Sequence, residues 1–301
     1  MKIPNKIKVG DKIGLISTAR KISITEIQPA IDILKSWGLK IILPESLFYE
    51  DHQFSGTISQ RTSALQLMID DPSINAILCA RGGYGTVQII DGVNFNNLRK
   101  NPKWLIGYSD VTVLHSHLNR YGISSLHATM PINFKNNSKD ALSSLKNILF
   151  GKKNFINCST NSLNRLGLVQ AEIVGGNLSI IYSLIGSDSD LDTDGKILFI
   201  EDIDEYLYHL DRMMINLKRN NKFKQLKGMI VGGMTDMKDN TNPYGKSAYE
   251  IIFSHVKEYD FPICFGFPSG HLTDNRSIIL GINSLLNIEE NNVSLLQDFK
   301  K

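Results

Sequence analysis

Short apolar runs alternate with amphipathic segments along the first half of the chain. The strand candidates are the clusters of β-branched and aliphatic residues at 12–17, 39–43, 74–80 and 104–107. The helix candidates are the segment 24–37, a segment with Ser59 as its N-cap, and the segment 110–120. This alternation predicts an α/β fold of the flavodoxin-like or Rossmann-like kind, with helices on both faces of a parallel sheet. Ligands of such sheets bind beyond the carboxyl ends of the strands.

The second half of the chain is predicted to be richer in strand. Its strand candidates lie at 195–200, 229–232, 263–267 and 277–281, and its clear helical segments at 206–217 and 248–259. Between residues 133 and 166 the composition shifts to Asn, Ser and Lys, which indicates a linker. The predicted organisation is an N-terminal α/β domain over 1–150, a linker over 151–166 and a strand-rich C-terminal α/β domain over 167–301.

Composition excludes several classes of function. The 301 residues carry 33 Lys and Arg against 30 Asp and Glu, and no basic segment has interleaved aromatic residues. A nucleic-acid partner is therefore not expected. The longest apolar stretch, 166–186, is interrupted by a glutamate, two glycines and an asparagine, and no leader peptide is readable, so no membrane association is expected. The three cysteines have no CxxC spacing, which is typical of a reduced, cytoplasmic protein.

A serine stands at the junction of a predicted strand and a predicted helix. The tetrapeptide Gly-Tyr-Ser-Asp at 107–110 is placed so that Ser109 could expose its Oγ as a nucleophile beside helix-terminal N–H groups. Serine is also a favoured N-cap, and Val111 replaces the second glycine of the nucleophile-elbow pattern. The tetrapeptide alone leaves both roles open, and the cap is the commoner of the two.

A glycine-rich loop follows another predicted strand. Residues 81–85 read Arg-Gly-Gly-Tyr-Gly, and glycines at this density let backbone N–H groups converge on an anion or an oxyanion. A plain flexible turn is an equally good interpretation. The planar guanidinium of Arg81 could bind a substrate carboxylate, although an arginine beside a loop is more often solvated.

Two further strand ends carry titratable side chains. Glu201 directly continues an apolar run, where a carboxylate needs a protonatable partner. The acids in 202–205 are better explained as a solvated loop or a charge cluster at a helix N-terminus. His271 follows a predicted buried strand and a Gly/Pro turn, a place that suits a general base, although a lone histidine is usually structural.

The other histidines show no spacing typical of a metal site. His115 and His117 lie two positions apart on a predicted helix and therefore point to nearly opposite sides. The rest form neither an HExxH motif nor a Cys/His cluster. We expect no metal ion.

In combination, the segments around Ser109, Glu201 and His271 resemble the LD-carboxypeptidase family of serine peptidases. The glycine loop 81–85, Gly-Gly-Asn at 175–177 and Tyr-His-Leu-Asp-Arg at 208–212 add matches, so the likeness covers nearly the whole chain. Each motif is weak by itself, whereas three catalytic motifs in the order Ser, Glu, His are specific together.

The resemblance implies a two-domain homodimeric enzyme with its site between the domains. Ser109 would be the nucleophile, His271 the base and Glu201 the orienting acid. The backbone N–H groups of Asp110 and Gly83 would form the oxyanion hole. Members of the family release terminal D-alanine from cytoplasmic murein tetrapeptides, which serves peptidoglycan recycling, and they need no cofactor.

The family resemblance says less about the substrate contacts than about the catalytic residues. Arg81 and Tyr84 are the candidate contacts. The segment Ser-Thr-Ala-Arg at 17–20 stands where many relatives carry a Ser-Pro-containing loop, and Ala-Thr-Met-Pro at 128–131 only approximates the usual segment. These departures leave the N-terminal contacts, and with them the identity of the peptide, open.

Two rival interpretations remain. Related immunity enzymes cut the amide between a peptidyl or aminoacyl group and a nucleotide-like sulfamate or phosphoramidate, and here Tyr84 or Trp104 could stack on a base, although both are equally explained by packing. The other rival is a non-catalytic module that binds a small ligand at the glycine loop. The presence of all three triad candidates argues against that module.

Overall fold

Strands and helices alternate along residues 1–299, the part of the chain that this computed structural model describes. The strands are β1 (Lys12–Ile16), β2 (Lys40–Ile42), β3 (Ile74–Cys79), β4 (Trp104–Gly107), β5 (Ser125–His127), β6 (Asn154–Cys158), β7 (Gly167–Asn177), β8 (Ile197–Ile203), β9 (Gly228–Thr235), β10 (Ile263–Phe265), β11 (Ile278–Leu280), β12 (Asn283–Ile288) and β13 (Val293–Gln297). The helices are α1 (Ile24–Ser36), α2 (Ile58–Asp70), α3 (Asn96–Lys100), α4 (Thr112–Arg120), α5 (Lys139–Leu149), α6 (Leu178–Leu184), α7 (Leu207–Arg219) and α8 (Ala248–Val256).

The first sheet has the strand order of flavodoxin-like folds. Its parallel strands run β2-β1-β3-β4-β5, and β11 is added antiparallel beside β5. Successive strand residues face opposite sides, so Leu15 joins the same apolar cluster as Ile27 of α1, whereas Ile16 joins the cluster that contains Leu65 of α2. The predicted α/β fold with helices on both faces is confirmed.

The second sheet is mixed. Its order is β10-β9-β8-β7-β12-β13-β6, with parallel pairing from β10 to β7 and antiparallel pairing from β7 to β6. Helices α7 and α8 cover one face, where Met213 and Ile252 belong to the same buried cluster as Leu198 of β8. The prediction of a strand-rich second half is also confirmed.

The segment that sequence composition assigned to a linker contains regular structure. Helix α5 occupies residues 139–149, and strand β6 lies inside the predicted linker 151–166. Because β6 pairs with β13, this stretch belongs to the second sheet and is not a free connection. Helix α6 was not predicted, and α2 is capped by Thr57, whose Oγ accepts from the Gln60 N–H, instead of by Ser59. The domain division into 1–150 and 167–301 stays a prediction.

The two sheets approach each other at the carboxyl ends of their parallel strands. The Asn177 N–H, at the end of β7, donates to Thr112 Oγ1 of α4 at 3.0 Å. A Cβ on Gly176 would lie 2.5 Å from that oxygen, so only glycine permits this approach. The cavity described below is lined from both sides of this contact. Within residues 1–299, every helix falls short of the length and apolarity that crossing a bilayer requires.

Candidate active site

Ser109 lies on a strained turn between β4 and α4. A 3₁₀ turn over Ser109–Val111 connects the strand to the helix. The Ser109 backbone has φ 62°, a left-handed conformation that costs a non-glycine residue about 1–2 kcal/mol. The Ser109 side chain caps neither the turn nor α4, and its hydroxyl has no hydrogen-bond partner within residues 1–299. An unpaired hydroxyl on a strained strand-to-helix turn is the arrangement of a nucleophile elbow.

The glycine loop 81–85 lies against this serine. A Cβ built on Gly82 would be 3.2 Å from Ser109 Oγ, so the loop backbone passes within contact distance of the hydroxyl. Gly83 has φ 111° and, like Asp110, lines the same cavity as Ser109. The two residues predicted to form an oxyanion hole are therefore neighbours of the serine in the cavity wall.

Two buried side chains hold the glycine loop in place. The Arg61 guanidinium is only 2% exposed and donates to the carbonyl oxygens of Gly85 at 2.8 Å and Thr18 at 2.9 Å. On the other side, Asp110 Oδ2 accepts from the Thr86 N–H at 2.9 Å. Burial raises the pKa of Asp110, against the lowering effect of its hydrogen bonds and of Arg61. Sequence analysis missed Arg61, because nothing in its helical segment distinguishes it from a solvated arginine.

Glu201 and His271 form a carboxylate–imidazole pair. Glu201 lies near the end of β8 with 0% exposure, and its Oε2 is 2.6 Å from His271 Nδ1. Burial opposes ionisation of Glu201, but the attraction and hydrogen bond of His271, together with the nearby His127, outweigh it and lower the pKa of Glu201 to about 2. Burial also disfavours the charged imidazole, yet Glu201 outweighs this effect and raises the pKa of His271. The pair therefore keeps the carboxylate ionised and the imidazole basic.

Gly270 allows the loop of His271 to lie directly on Glu201. Its φ is 111°, and a Cβ there would come within 2.7 Å of both Cβ and Oε2 of Glu201. With no side chain in the way, the His271 N–H also donates to Oε2 at 3.2 Å. The carboxylate thus fixes both the backbone and the ring of His271.

One cavity of about 600 Å³ brings these groups together. Ser109, Asp110, Gly83, Arg81 and His271 all line it, and Glu201 lies behind His271. Within residues 1–299, no direct hydrogen bond joins Ser109 to His271, and such bonds often tighten only when substrate is bound. The residues predicted as nucleophile and base, Ser109 and His271, therefore line one cavity and come from opposite halves of the chain.

Tyr84 is placed differently from the other predicted site residues. It is 47% exposed, its ring centroid lies 6.2 Å from that of Phe54, and it is not among the residues lining the cavity. Trp104, the other aromatic considered for stacking on a base, is fully buried and its indole N–H donates to the Asn5 carbonyl. A stacking role for Trp104 is therefore excluded, whereas Tyr84 remains a candidate contact for the outer part of a substrate.

The cavity wall also contains charged residues that sequence analysis did not assign. Arg20 lies against Gly83, and four acidic residues line the same cavity: Asp202, Asp204, Glu205 and Asp236.

Asp202 is 1% exposed, so the prediction of a solvated acid is wrong there. It accepts from Asn177 Nδ2 and from the Ser179 N–H, each at 2.8 Å. Burial, together with the charge of Glu201, raises its pKa to about 7. The signals available in the sequence were its adjacency to Glu201 and the asparagine of the Gly-Gly-Asn motif.

A strained serine, a glycine loop and a buried carboxylate–imidazole pair around one cavity define the site of a serine hydrolase. The family profile of the LD-carboxypeptidase N-terminal domain matches residues 13–128, and that of the LD-carboxypeptidase C-terminal domain matches residues 170–286. The chain belongs to the LD-carboxypeptidase family. It is a serine carboxypeptidase.

Individual relatives agree with this assignment. The chain is 31% identical to a probable murein peptide carboxypeptidase of Bacillus subtilis, across 95% of this chain and 92% of the relative. It is 22% identical to the microcin C7 self-immunity protein MccF of Escherichia coli, across 97% and 95% of the two chains. The crystal structure of muramoyltetrapeptide carboxypeptidase from Oxalobacter formigenes superposes with a TM-score of 0.85 at 23% identity, across 95% of this chain and 98% of the other.

Proposed function

We propose that this enzyme is an LD-carboxypeptidase that releases the terminal D-alanine of murein tetrapeptides, with Ser109, His271 and Glu201 as its catalytic triad. The proposal depends on one observation above all. A strained, unpaired serine hydroxyl shares a cavity with an imidazole whose other nitrogen is 2.6 Å from a buried carboxylate. The likeness to a probable murein peptide carboxypeptidase supports the choice of substrate.

The proposed reaction proceeds through an acyl-enzyme. His271 Nε2 takes the proton of Ser109 Oγ, and the oxygen attacks the carbonyl carbon of the amide. When the tetrahedral intermediate collapses, the C–N bond breaks and the proton passes from His271 to the amine of the leaving D-alanine. A water molecule, deprotonated by His271, then attacks the ester carbonyl; the C–O bond to Ser109 breaks, His271 returns the proton to Ser109 Oγ, and the shortened peptide leaves. Glu201 stabilises the imidazolium in both steps.

The glycine loop is proposed to stabilise the oxyanion. The backbone N–H groups of Gly83 and Asp110 would donate to the carbonyl oxygen as it gains negative charge, and one such donor is commonly worth about 3 kcal/mol. Their place beside Ser109 in the cavity wall supports this role. The buried anchors Arg61 and Asp110 would keep the loop from moving when the charge develops.

The charges of the cavity suit a zwitterionic peptide. Arg20 has no ion-pair partner within residues 1–299, so its guanidinium is available for the carboxylate of the leaving residue. Arg81 is 3.5 Å from Glu26 and therefore partly neutralised. Asp204 and Asp236 line the same cavity, and Asp204 pairs with Lys238 at 2.7 Å. A substrate with an ammonium group on its third residue, lysine or diaminopimelate, fits this distribution.

The test is D-alanine release measured by mass spectrometry. Murein tetrapeptides that end in L-Lys-D-Ala or diaminopimelate-D-Ala are incubated with wild type, with Ser109→Ala and with Ser143→Ala, an exposed serine on α5 that serves as control. We expect release by wild type and Ser143→Ala and its loss in Ser109→Ala. Equal release by Ser109→Ala would mean that another group is the nucleophile.

A second candidate function has support from the likeness to MccF, structures of which contain glutamyl sulfamoyl guanosine or aspartyl sulfamoyl adenosine. In this alternative the same triad hydrolyses an aminoacyl-nucleotide amide, and Tyr84 contacts the base. A panel of aminoacyl-sulfamoyl nucleosides, assayed beside the murein tetrapeptides, separates the two. Turnover of the nucleosides alone would favour this alternative, and binding without turnover of any substrate would favour the non-catalytic module.

The proposed cellular setting is peptidoglycan recycling in the cytoplasm by a homodimer. Cys79, Cys158 and Cys264 are all free thiols, which is typical of a reducing compartment. Fractionation of cells, together with sedimentation of the purified protein, tests the location and the oligomeric state.

A further inference from the structure

A second histidine lies on the far side of the triad carboxylate. His127 is the last residue of β5 and is 0% exposed. Its Nε2 is 4.0 Å from Glu201 Oε1, whereas His271 contacts the other oxygen, Oε2. Within residues 1–299, neither His127 Nε2 nor Glu201 Oε1 has a hydrogen-bond partner. A carboxylate oxygen and a ring nitrogen thus face each other, both buried and both without a hydrogen-bond partner.

We infer that His127 is a positioning residue, which donates its Nε2–H to Glu201 Oε1 and so holds the carboxylate in the orientation that His271 requires. This inference rests on the proposed catalytic role of Glu201. A buried carboxylate oxygen without a donor is strongly destabilising, and so is a buried ring N–H without an acceptor. A closure of about 1 Å turns the observed separation into a hydrogen bond and satisfies both atoms.

The other contacts of His127 are consistent with a proton on Nε2. Its Nδ1 is 3.4 Å from Ser269 Oγ, a long contact, and the Ser269 hydroxyl donates its only proton to the Arg276 carbonyl oxygen at 2.9 Å. Ser269 therefore offers Nδ1 at most a weak acceptor, whereas the carboxylate at the other side of the ring is a strong one. The carboxylate of Glu201 can only accept, and a bare Nε2 lone pair facing it would be repulsive. The donor at this side of the ring is therefore Nε2.

Aromatic neighbours fix the plane of the His127 ring. The Phe199 ring packs edge-on at 4.8 Å between centroids, and the Tyr108 ring does so at 5.9 Å. His115 lies at 6.3 Å, and its own ring nitrogens are near Ser125 Oγ and the Gly107 carbonyl, so it does not compete for Glu201. His127 is 0% exposed and does not line the cavity, so a substrate bound in the cavity would not reach it. Any effect of His127 on the reaction must therefore act through the carboxylate of Glu201.

Paired amide substitutions separate the hydrogen bond from mere packing. In His127→Gln the amide nitrogen takes the place of Nε2 and still donates to Glu201, whereas in His127→Asn it takes the place of Nδ1 and does not. We expect His127→Asn to lower kcat about 10- to 100-fold, as loss of a supporting hydrogen bond does at other polar sites, with KM unchanged. We expect His127→Gln to restore most of the rate. His117→Asn, at a buried histidine of α4 that contacts Ser189, is the matched control and should leave kcat unchanged.

The rate of Ser109 phosphonylation by a fluorophosphonate reports nucleophile activation without reference to the peptide. Wild type that is not labelled at Ser109 would contradict the proposed triad itself. Labelling of wild type and folded His127→Asn at the same rate would overturn only the role of His127. An equal loss in both amide variants, with KM raised as well, would also overturn it.

Nitrogen NMR of ¹⁵N-histidine-labelled protein observes the proton position in the wild type directly, and a variant is needed only to assign the His127 signal. The His127 signal is assigned by its absence in His127→Gln. A protonated Nε2 with an exchange-protected N–H supports the inference. An unprotonated Nε2 would refute it.

Discussion

Replacing Glu201 by glutamine would remove the charge of the proposed triad carboxylate while keeping the size of the side chain. In the wild type, Oε2 accepts from both Nδ1 and the backbone N–H of His271, at 2.6 and 3.2 Å. Glutamine instead presents one acceptor and one donor. If the amide nitrogen faces His271, the imidazole must place its proton on Nε2 and cannot accept the proton of Ser109.

The opposite amide orientation also fails to restore the site. The amide oxygen then faces His271, and the amide nitrogen faces His127 Nε2 across the 4.0 Å gap, where two donors meet. The imidazolium that forms during the reaction has lost its counter-charge in either case. Loss of the correct tautomer in a Ser/His/Asp triad lowers kcat about 10⁴-fold, so we expect Glu201→Gln to lower kcat by about 10³- to 10⁴-fold, or about 4–5 kcal/mol. KM should hardly change, because Glu201 is fully buried and does not line the cavity.

Steady-state release of D-alanine gives kcat and KM, and thermal unfolding confirms that each variant is folded. Asp211→Asn is the matched control, since Asp211 Oδ1 lies 2.6 Å from His255 Nε2 in a carboxylate–imidazole pair outside the cavity. We expect this control to keep the wild-type kcat. A folded Glu201→Gln variant with more than about a tenth of the wild-type kcat would refute the triad reasoning.

The contacts around Glu201 and the glycine loop support three further predictions. Gly270→Ala should lower the free energy of unfolding by about 2–3 kcal/mol, because its Cβ would lie 2.7 Å from Glu201 atoms at φ 111°; urea denaturation that shows no change would contradict this. Glu201 outweighs the effect of burial and raises the pKa of His271 above 6.5. Because the base must be neutral, kcat/KM should rise with pH through an apparent pKa above that value, and a midpoint at or below it would be contrary evidence. Arg61→Met should destabilise the fold by about 3 kcal/mol and slow Ser109 phosphonylation, since the buried carbonyl of Gly85 loses its donor; a variant with wild-type stability and labelling rate would show that the anchor is dispensable.

Local patterns in the sequence were sufficient to predict the strands that carry the site. β4 was predicted with the bounds it has, and β1 and β3 within one residue at their ends. Glu201 was singled out because a carboxylate continues an apolar run, and it is indeed buried within β8. Such features are readable because burial of a parallel strand leaves a continuous apolar run in the sequence.

Strand β6 was missed because the polarity of its first two residues is inverted. Asn154 is buried and donates to the Ser277 carbonyl and to Gln297 Oε1, whereas Phe155 is 63% exposed. A hydrophobicity pattern cannot show this arrangement, since the partners of the buried amide are more than a hundred residues away.

His127 was overlooked for a related reason. In the sequence it ends a short segment of ordinary residues, and only the fold brings it to Glu201, 74 positions away along the chain. Asp202 is a similar case, because its burial depends on donors from Asn177 and Ser179 on other elements. Contacts of this kind are made by the tertiary structure, so local patterns in a single sequence give at most indirect signals for them, such as the adjacency of Asp202 to Glu201.

Strand β11 links the two halves of the chain, because it lies in the second half of the sequence but completes the first sheet. Its residues follow the His271 loop, yet they pair with β5, so that Ile278 lies in register with His127. A fragment that ended after β5 would lack β11. It would leave the edge of β5 unpaired and would expose the apolar surface that Ile279 covers in the whole protein, which favours aggregation. The same pairing tethers the His271 loop to the sheet that carries Ser109.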